Sequence, residues 1–354
     1  MINRLYVEGL NGRKQPLNLK FHSDLNLLTG KNGSSKTTIL KLIWYLNAGK
    51  LYSLIREVNF SNIILETSKF KINLKIDTDR LLTISINDEK SFNLSEQGLR
   101  ELENRRFARI DEKIAFIQKS ATPTIFFPTF RRIEGGFSMD ALDLVFGRTD
   151  EVRSALEELS RKLSSKNQRF ITSISTDDIV TLLNREYTTI NAEINQTQKQ
   201  KTDEIIKKIK GKIQNEKAIL DEIQKDIEYM ESERERLLKP FTTLSDLIAT
   251  IFQHKGINLS NLTIGEVNNA ISSEKLSAGE KQMLSFICYN AFTKDNTIFI
   301  DEPELSLHPD WQRTLVPTLL NQGNNNQFFM ATHSPFIFSK YADKEIILSE
   351  DKGE

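Results

Sequence analysis

Short segments rich in apolar residues stand close to both ends of the chain, and residues 2–7 and 25–29 read as strands. Residues 297–300 and 327–331 are short apolar runs that predict strands buried on both faces, and residues 345–348 add a further candidate strand. Residues 37–46 instead place their apolar positions at helical spacing, and further helical patterns separate several of the strands. The expected fold is therefore α/β: a mixed sheet with helices packed against it, completed only when the two ends of the chain meet.

The middle follows a different rule. Residues 184–239 hold no Pro, a single Gly (Gly211), and mostly Glu, Lys, Gln, Asn and Ile, a composition that favours helix. Two seven-residue series interleave there, Ile206, Ile213, Leu220, Ile227, Arg234 and Ile209, Glu216, Ile223, Met230, Leu237. Eight of these ten positions are apolar, the seam pattern of a coiled coil. The pattern lapses across residues 196–203 (QTQKQKTD), which reads as the tip of an antiparallel hairpin, with a skip in one long helix as the other reading. Residues 204–238 would then extend roughly 50 Å at the helical rise. Charge is polarised along this arm: residues 199–217 carry seven bases against three acids, residues 218–239 four against seven. Such a surface serves as a solvated face, or as a basic tip that docks a partner or nucleic acid. Pro240 and Gly256 bracket the expected return to the globular part. Three segments follow: 1–145, an insertion over 146–240, and 241–354.

Composition narrows the classes. Over 354 residues Lys+Arg and Asp+Glu both total 48, so the formal net charge is zero. That balance argues against a globally basic nucleic-acid binder. One Cys and four scattered His exclude a disulfide framework and speak against a Cys/His zinc site. No apolar run nears the roughly 20 residues a membrane helix needs, and the first residues lack the apolar core of a signal peptide. The expectation is a cytoplasmic protein with no membrane partner.

The candidate chemistry begins at Gly30-Lys31-Asn32-Gly33-Ser34-Ser35-Lys36-Thr37-Thr38, directly after a predicted strand and opening a helix. It nearly fits G-x-x-x-x-G-K-S/T, the phosphate-binding loop. Small residues let successive backbone N–H groups converge on an anion, and the helix N-terminus adds partial positive charge. Lys36 would reach the β- and γ-phosphates of ATP, and the Thr37 hydroxyl would ligate Mg²⁺. Ser35 departs from the pattern, which has Gly there. Its β-carbon could crowd the loop or restrict its backbone, slowing turnover while binding survives.

Three further signals lie near the other end. Residues 297–301 form an apolar run ending in the adjacent carboxylates Asp301 and Glu302. Asp301 can hold Mg²⁺ through a water, and Glu302 can orient and deprotonate an attacking water. Leu276-Ser277-Ala278-Gly279-Glu280 reads as a capping box opening a helix, and a serine hydroxyl with glycine at a helix start also reads as an anion site. Ala331-Thr332-His333-Ser334-Pro335 follows another predicted strand.

In this order the four segments resemble the ATP-binding-cassette (ABC) ATPases. GKNGSSKTT looks like Walker A, LSAGEKQ like the signature, FIDEPELSLHP like Walker B with the D-loop, and ATHSP like the switch histidine. A coiled insertion between Walker A and the signature resembles the RecF and SMC group rather than transporters. The wording DEPELSLHP…Q, ATHSP and FFPTFRRIEGG resembles the overcoming-lysogenization-defect (OLD) ATPases, which include ATPase subunits of PARIS, Septu and some retrons. The resemblance implies a homodimer or higher homo-oligomer in which Ser277, Gly279 and Glu280 of one copy cover the γ-phosphate held by the other. It also makes Glu302 and His333 the catalytic pair. In two respects the chain departs from the pattern. No clear Q-loop glutamine follows the strand at 124–127; Arg131 or Arg132 occupies that region, or forms a surface salt bridge, and Gln118 precedes the strand. The chain also ends about twenty residues past His333, which leaves no room for the Toprim nuclease of OLD nucleases. Two functions remain in view: an ATP-gated scaffold restraining a separately encoded effector, a nuclease, in anti-phage defence, or a DNA-repair or chromosome-handling ATPase acting on DNA itself.

Overall fold

The computed structural model describes residues 1–77, 81–89, 91–98, 100, 112–129, 132–133, 158–165, 167–174, 176–211, 216–252, 256–259, 262–265, 270–272 and 275–348. Its strands are β1 (Ile2–Glu8), β2 (Leu17–Lys20), β3 (Leu25–Thr29), β4 (Asn62–Thr67), β5 (Lys71–Ile76), β6 (Leu82–Ile86), β7 (Phe92–Leu94), β8 (Thr124–Phe127), β9 (Arg132–Ile133), β10 (Gln168–Phe170), β11 (Ser173–Ile174), β12 (Gly256–Leu259), β13 (Leu262–Gly265), β14 (Ala270–Ser272), β15 (Thr297–Asp301), β16 (Gln327–Ala331) and β17 (Glu345–Ile347). The α-helices are α1 (Lys36–Ala48), α2 (Leu51–Glu57), α3 (Glu112–Ser120), α4 (Thr176–Gly211), α5 (Glu216–Ile251), α6 (Ala278–Ala291), α7 (Pro309–Leu320) and α8 (Pro335–Phe338). The fold class is α/β as expected. Two compact units divide the chain: Met1–Ser173 with Thr293–Glu354, and Ile174–Phe292. Compactness thus groups residues 241–292 with the arm, where the expected segments ran 1–145, 146–240 and 241–354.

The first unit holds two sheets rather than one. The order β10-β8-β15-β16-β3-β17 is parallel throughout. Its central strands β8, β3, β15 and β16 are buried at every position, which is why each reads as an unbroken apolar run. One register line crosses four neighbouring strands with phenylalanine each time. Phe170, Phe126, Phe299 and Phe329 are paired in sequence, with ring centroids 5.4, 5.8 and 5.2 Å apart and planes tilted by 12°, 26° and 23°. Trp44 of α1 packs on Phe126 and Phe170 and donates its indole N–H to Thr124 Oγ1 at 3.0 Å. The ladder thus seats α1 on the sheet and fixes the level at which the strands end.

The second sheet, β2-β1-β4-β5-β6-β7, is antiparallel. Strands β4 to β6 alternate, with Ile63, Leu65, Ile72, Leu74, Leu82, Ile84 and Ile86 inward, the period-two pattern of a sheet with one buried face. Gln327 clips this sheet to the parallel one. Its side chain accepts from the Ile2 N–H at 2.8 Å and donates to the carbonyls of Ile2 (2.7 Å) and His22 (2.8 Å).

In the second unit α4 and α5, 36 residues each, form a hairpin about 54 Å long at the helical rise. Lys201 Nζ of α4 lies 3.4 Å from Asp226 Oδ1 of α5 and 5.5 Å from the Tyr229 ring centroid. This corrects the expected tip: residues 196–203 lie inside α4, and the chain reverses between Gly211 and Glu216. The reversal follows the only glycine of the arm and not its apolar-poor stretch. Pro240 likewise lies within α5, which runs on to Ile251. Only the later members of one heptad series, those on α5, are sheltered. Ile223, Met230 and Leu237 are half-buried, while Ile206, Ile209, Leu220 and Ile227 are 42%, 56%, 64% and 43% exposed; Ile213 lies outside the described residues. Near its root, Tyr187 of α4 meets Phe241 of α5 edge-on with ring centroids 5.6 Å apart, and Phe241 meets Phe292 after α6 at 4.8 Å with the planes tilted by 56°. The small sheet β13-β12-β14 completes the unit. Among the described residues no helix is long and apolar enough to cross a membrane.

Candidate functional site

Four parallel strands, β8, β15, β16 and β3, lie side by side with their carboxyl ends level, where ligands of open α/β sheets bind. The loop after β3 carries the first group of candidates. Gly30 has φ 137°, and a β-carbon there would stand 2.5 Å from the Leu348 carbonyl oxygen and 2.9 Å from Ser34 Oγ, so only glycine fits. Gly33 is left-handed at φ 84°. Ser35, immediately before α1, is left-handed too (φ 71°, ψ 21°), a conformation that glycine adopts without strain and serine does not. Ser34 is buried under the loop, Asn32 is exposed at its outside, and Thr38 is half-buried in the first turn of α1.

Lys36 is buried, and its ammonium donates to the carbonyls of Gly30 (2.9 Å) and Lys31 (3.0 Å). Burial lowers its pKa, while the charges of Glu302, Asp301 and Glu304 pull it back up. The ammonium thus sits inside the mouth of the loop facing three carboxylates. Thr37 donates its hydroxyl to Asp301 Oδ1 at 2.9 Å.

Asp301 ends β15, opposite Ala331 at the end of β16. Its second oxygen, Oδ2, accepts a short hydrogen bond from the Thr129 hydroxyl. Thr129 follows β8 by two residues, so adjacent strands deliver both partners. Two hydroxyls and a carboxylate are the hard oxygen donors that suit Mg²⁺, which uses few protein ligands and keeps water or phosphate for the rest. Thr37, Asp301 and Thr129 therefore fit the ion; among the described residues no cluster of three His, Cys, Asp or Glu offers another site. Thr129 was not singled out from sequence. Of the residues considered for the Q-loop place, Gln118 packs over Gly49 at the opposite end of α1, about 20 Å of helix away from Lys36. Arg131 lies outside the described residues; Arg132 lies in β9, and its side chain is likewise outside them.

Glu302 has φ 49°, a strained backbone for glutamate, and its N–H donates to the Ala331 carbonyl at 2.8 Å. Its carboxyl is pushed above the usual glutamate range by burial first, then by Asp301 and Glu304; His333 and Lys36 act the other way. His333 is exposed. Its backbone N–H donates to Glu304 Oε1 at 2.6 Å, and the Thr332 hydroxyl donates to Glu304 Oε2 at 2.8 Å. Gln312 of α7 donates to the carbonyls of Leu307 (2.8 Å) and Glu304 (3.4 Å) and accepts from the Ser334 hydroxyl at 2.5 Å. Glu304 and Gln312 stood in the quoted DEPELSLHP…Q wording without any role.

Ser277 caps α6 as expected: its Oγ accepts the Glu280 N–H at 3.3 Å, and its own N–H donates to Glu280 Oε2 at 2.6 Å. Accepting that bond leaves the hydroxyl proton for another partner. Gly279 is buried in the first turn. These residues belong to the second unit, whereas Lys36, Asp301, Glu302 and His333 belong to the first.

A family model described as "AAA ATPase domain" (AAA_15) matches residues 1–338. The "Retron Vc95 probable ATPase" of Vibrio cholerae serotype O1 biovar El Tor is 24% identical over 375 aligned residues, covering 93% of this chain and 70% of that protein. The "Retron Ec83 probable ATPase" of Escherichia coli is 26% identical over 180 residues, 43% of this chain and a third (33%) of that protein. Among solved structures, an Smc head domain with an extended coiled coil from Pyrococcus furiosus aligns over 99% of this chain and 94% of its own, at 14% identity and a TM-score of 0.45.

Proposed function

The chain belongs to the AAA_15 family of ATPase domains, and on that premise we propose that it binds ATP with Mg²⁺ at the carboxyl ends of β3, β8, β15 and β16 and hydrolyses it slowly. One observation carries this reading: Asp301 gathers the hydroxyls of Thr37 and Thr129 on its two oxygens, beside the Lys36 ammonium and the Glu302 carboxyl. When bound, Mg²⁺ would neutralise charge on the phosphates. Lys36 exchanges its loop carbonyls for phosphate oxygens, with the amides of the loop and of the α1 N-terminus around them. Glu302 accepts a proton from the attacking water, a task its raised pKa favours by making it a stronger base than an ordinary glutamate. His333, exposed and near Glu302, contacts the γ-phosphate.

A second copy would contribute the exposed Ser277 hydroxyl and the α6 N-terminus to the same triphosphate, giving an isologous dimer around two nucleotides. The retron relatives support a role in anti-phage defence, in which the dimer restrains a separately encoded nuclease. The zero net charge favours this scaffold over direct action on DNA, whose signature would be DNA-stimulated turnover with steep salt dependence.

The test is Glu302→Gln in the full chain. The variant is expected to retain ATP through gel filtration and to run as a dimer by light scattering, with turnover reduced at least about 100-fold, the lower end of what one general base contributes. Turnover equal to wild type would remove Glu302 from its role and the reading with it.

A further inference from the structure

His333 sits on a loop whose polar groups do not point at random. Four side chains form a closed circuit beneath it: the Thr332 hydroxyl donates to Glu304, the Ser334 N–H donates to the Thr332 oxygen at 3.0 Å, the Ser334 hydroxyl donates to Gln312, and the Gln312 amide returns to the Glu304 and Leu307 carbonyls. Glu304 also takes the backbone N–H of His333 itself. Its two carboxylate oxygens thus accept from two consecutive residues, a charged acceptor that is about twice as strong as a neutral one. The turn bearing Glu304 is the turn bearing Glu302, for the Leu305 N–H donates to the Glu302 carbonyl and the Leu307 N–H to the Glu304 carbonyl.

We propose that Glu304 is a positioning residue, which with Gln312 holds the His333 loop in register with the Glu302 turn. The strand pairing of β15 with β16 stops at Asp301 and Ala331, one residue short of both Glu302 and Thr332. Beyond it the Glu302 N–H to Ala331 bond and this circuit tie the two loops together. The His333 backbone is pinned while its imidazole stays exposed, which suits a side chain that must meet a ligand at a fixed distance from the base. This inference rests on the reading of His333 as the group that faces the nucleotide.

Glu304 is also a charge near Glu302 and Lys36, so its removal would act in two ways, and the variants must separate them. Gln312→Met breaks the Ser334 bond and carries no charge change; Glu304→Gln removes both the paired acceptor and the charge. Positioning predicts that kcat falls about tenfold in both, the worth of one strong hydrogen bond, with KM for ATP within about twofold. A second readout needs no turnover. The chain has four histidines, His22, His254, His308 and His333, so ¹⁵N-histidine labelling of the full chain gives four backbone amide signals. Glu304→Gln should move the His333 amide proton upfield and leave His22 and His308 in place.

An unmoved His333 amide would overturn the proposal whatever the kinetics, as would a Gln312→Met enzyme with wild-type kcat. If the amide moves but Glu304→Gln and His333→Ala both turn over normally, the clamp exists and the catalytic role given to His333 is what fails.

Discussion

Ser35 stands where the loop needs a left-handed residue, and serine adopts that backbone at a cost of about 1–2 kcal/mol relative to glycine. Ser35→Gly should therefore raise the melting temperature of the apo protein by roughly 2–4 °C, the shift expected for about 1 kcal/mol in a unit of this size. Scanning fluorimetry would show it, and a lower melting temperature would mean that the serine supplies a contact worth more than the strain. Glu302 carries a related strain and a displaced pKa. A glutamate whose folded-state pKa is raised contributes most below its unfolded value, near 4.3, and that contribution is lost as pH rises through the folded value. Glu302→Gln should accordingly melt higher than wild type at pH 8, and the difference should vanish near pH 4. Equal gains at both values would show that Glu302 is not held out of its ordinary range. Lys36, Thr37, Asp301, Glu302 and His333 were legible as candidates because each lies within two residues of an element's end or start, inside a contiguous motif. Thr129, Glu304 and Gln312 were not, since what they do depends on neighbours 172, 29 and 22 positions away.

At the scale of elements, the central parallel strands β3, β15 and β16 announced themselves by being buried on both faces. The antiparallel strands β4 to β6 carried an equally clear alternation, at residues 63–65, 72–74 and 82–86, and a search for period two would have found them. The phenylalanine ladder is where element and site meet: Phe299 lies two residues before Asp301 and touches both neighbouring rings. Phe299→Ala should cost about 3–5 kcal/mol of stability, read as a lower urea midpoint in the fluorescence of the two tryptophans, Trp44 and Trp311. A loss below about 1 kcal/mol would mean that the ladder does not seat α1. In the hairpin, the absence of apolar residues over 196–203 misplaced the turn. A two-helix hairpin shelters only one narrow face, so a polar stretch is tolerated anywhere along it, whereas the reversal itself needs a chain that can leave the helix. Gly211 marks that place.

The whole molecule distributes its chemistry unevenly. The phosphate loop, Asp301, Glu302 and His333 share one compact unit, while Ser277, the α6 N-terminus and the hairpin share the other. Edge-on and tilted ring contacts of Tyr187, Phe241 and Phe292 join the root of the hairpin, about 54 Å long, to the end of α6. The Glu302→Gln dimer belongs to this scale, because it asks whether the α6 tip of one copy closes on the nucleotide of another. Local pattern was enough for the α/β class, the loop after β3, the adjacent carboxylates and the capped helix, since each depends on backbone geometry and burial within a few residues. That Asp301 gathers Thr37 and Thr129, and that Glu304 accepts from the histidine loop, came from the assembled fold. It also decided that strands of the first unit divide into two six-stranded sheets, one parallel and one antiparallel. Those outcomes turn on which strand ends become neighbours, and neighbourhood in a parallel sheet is set by crossovers that no local pattern encodes.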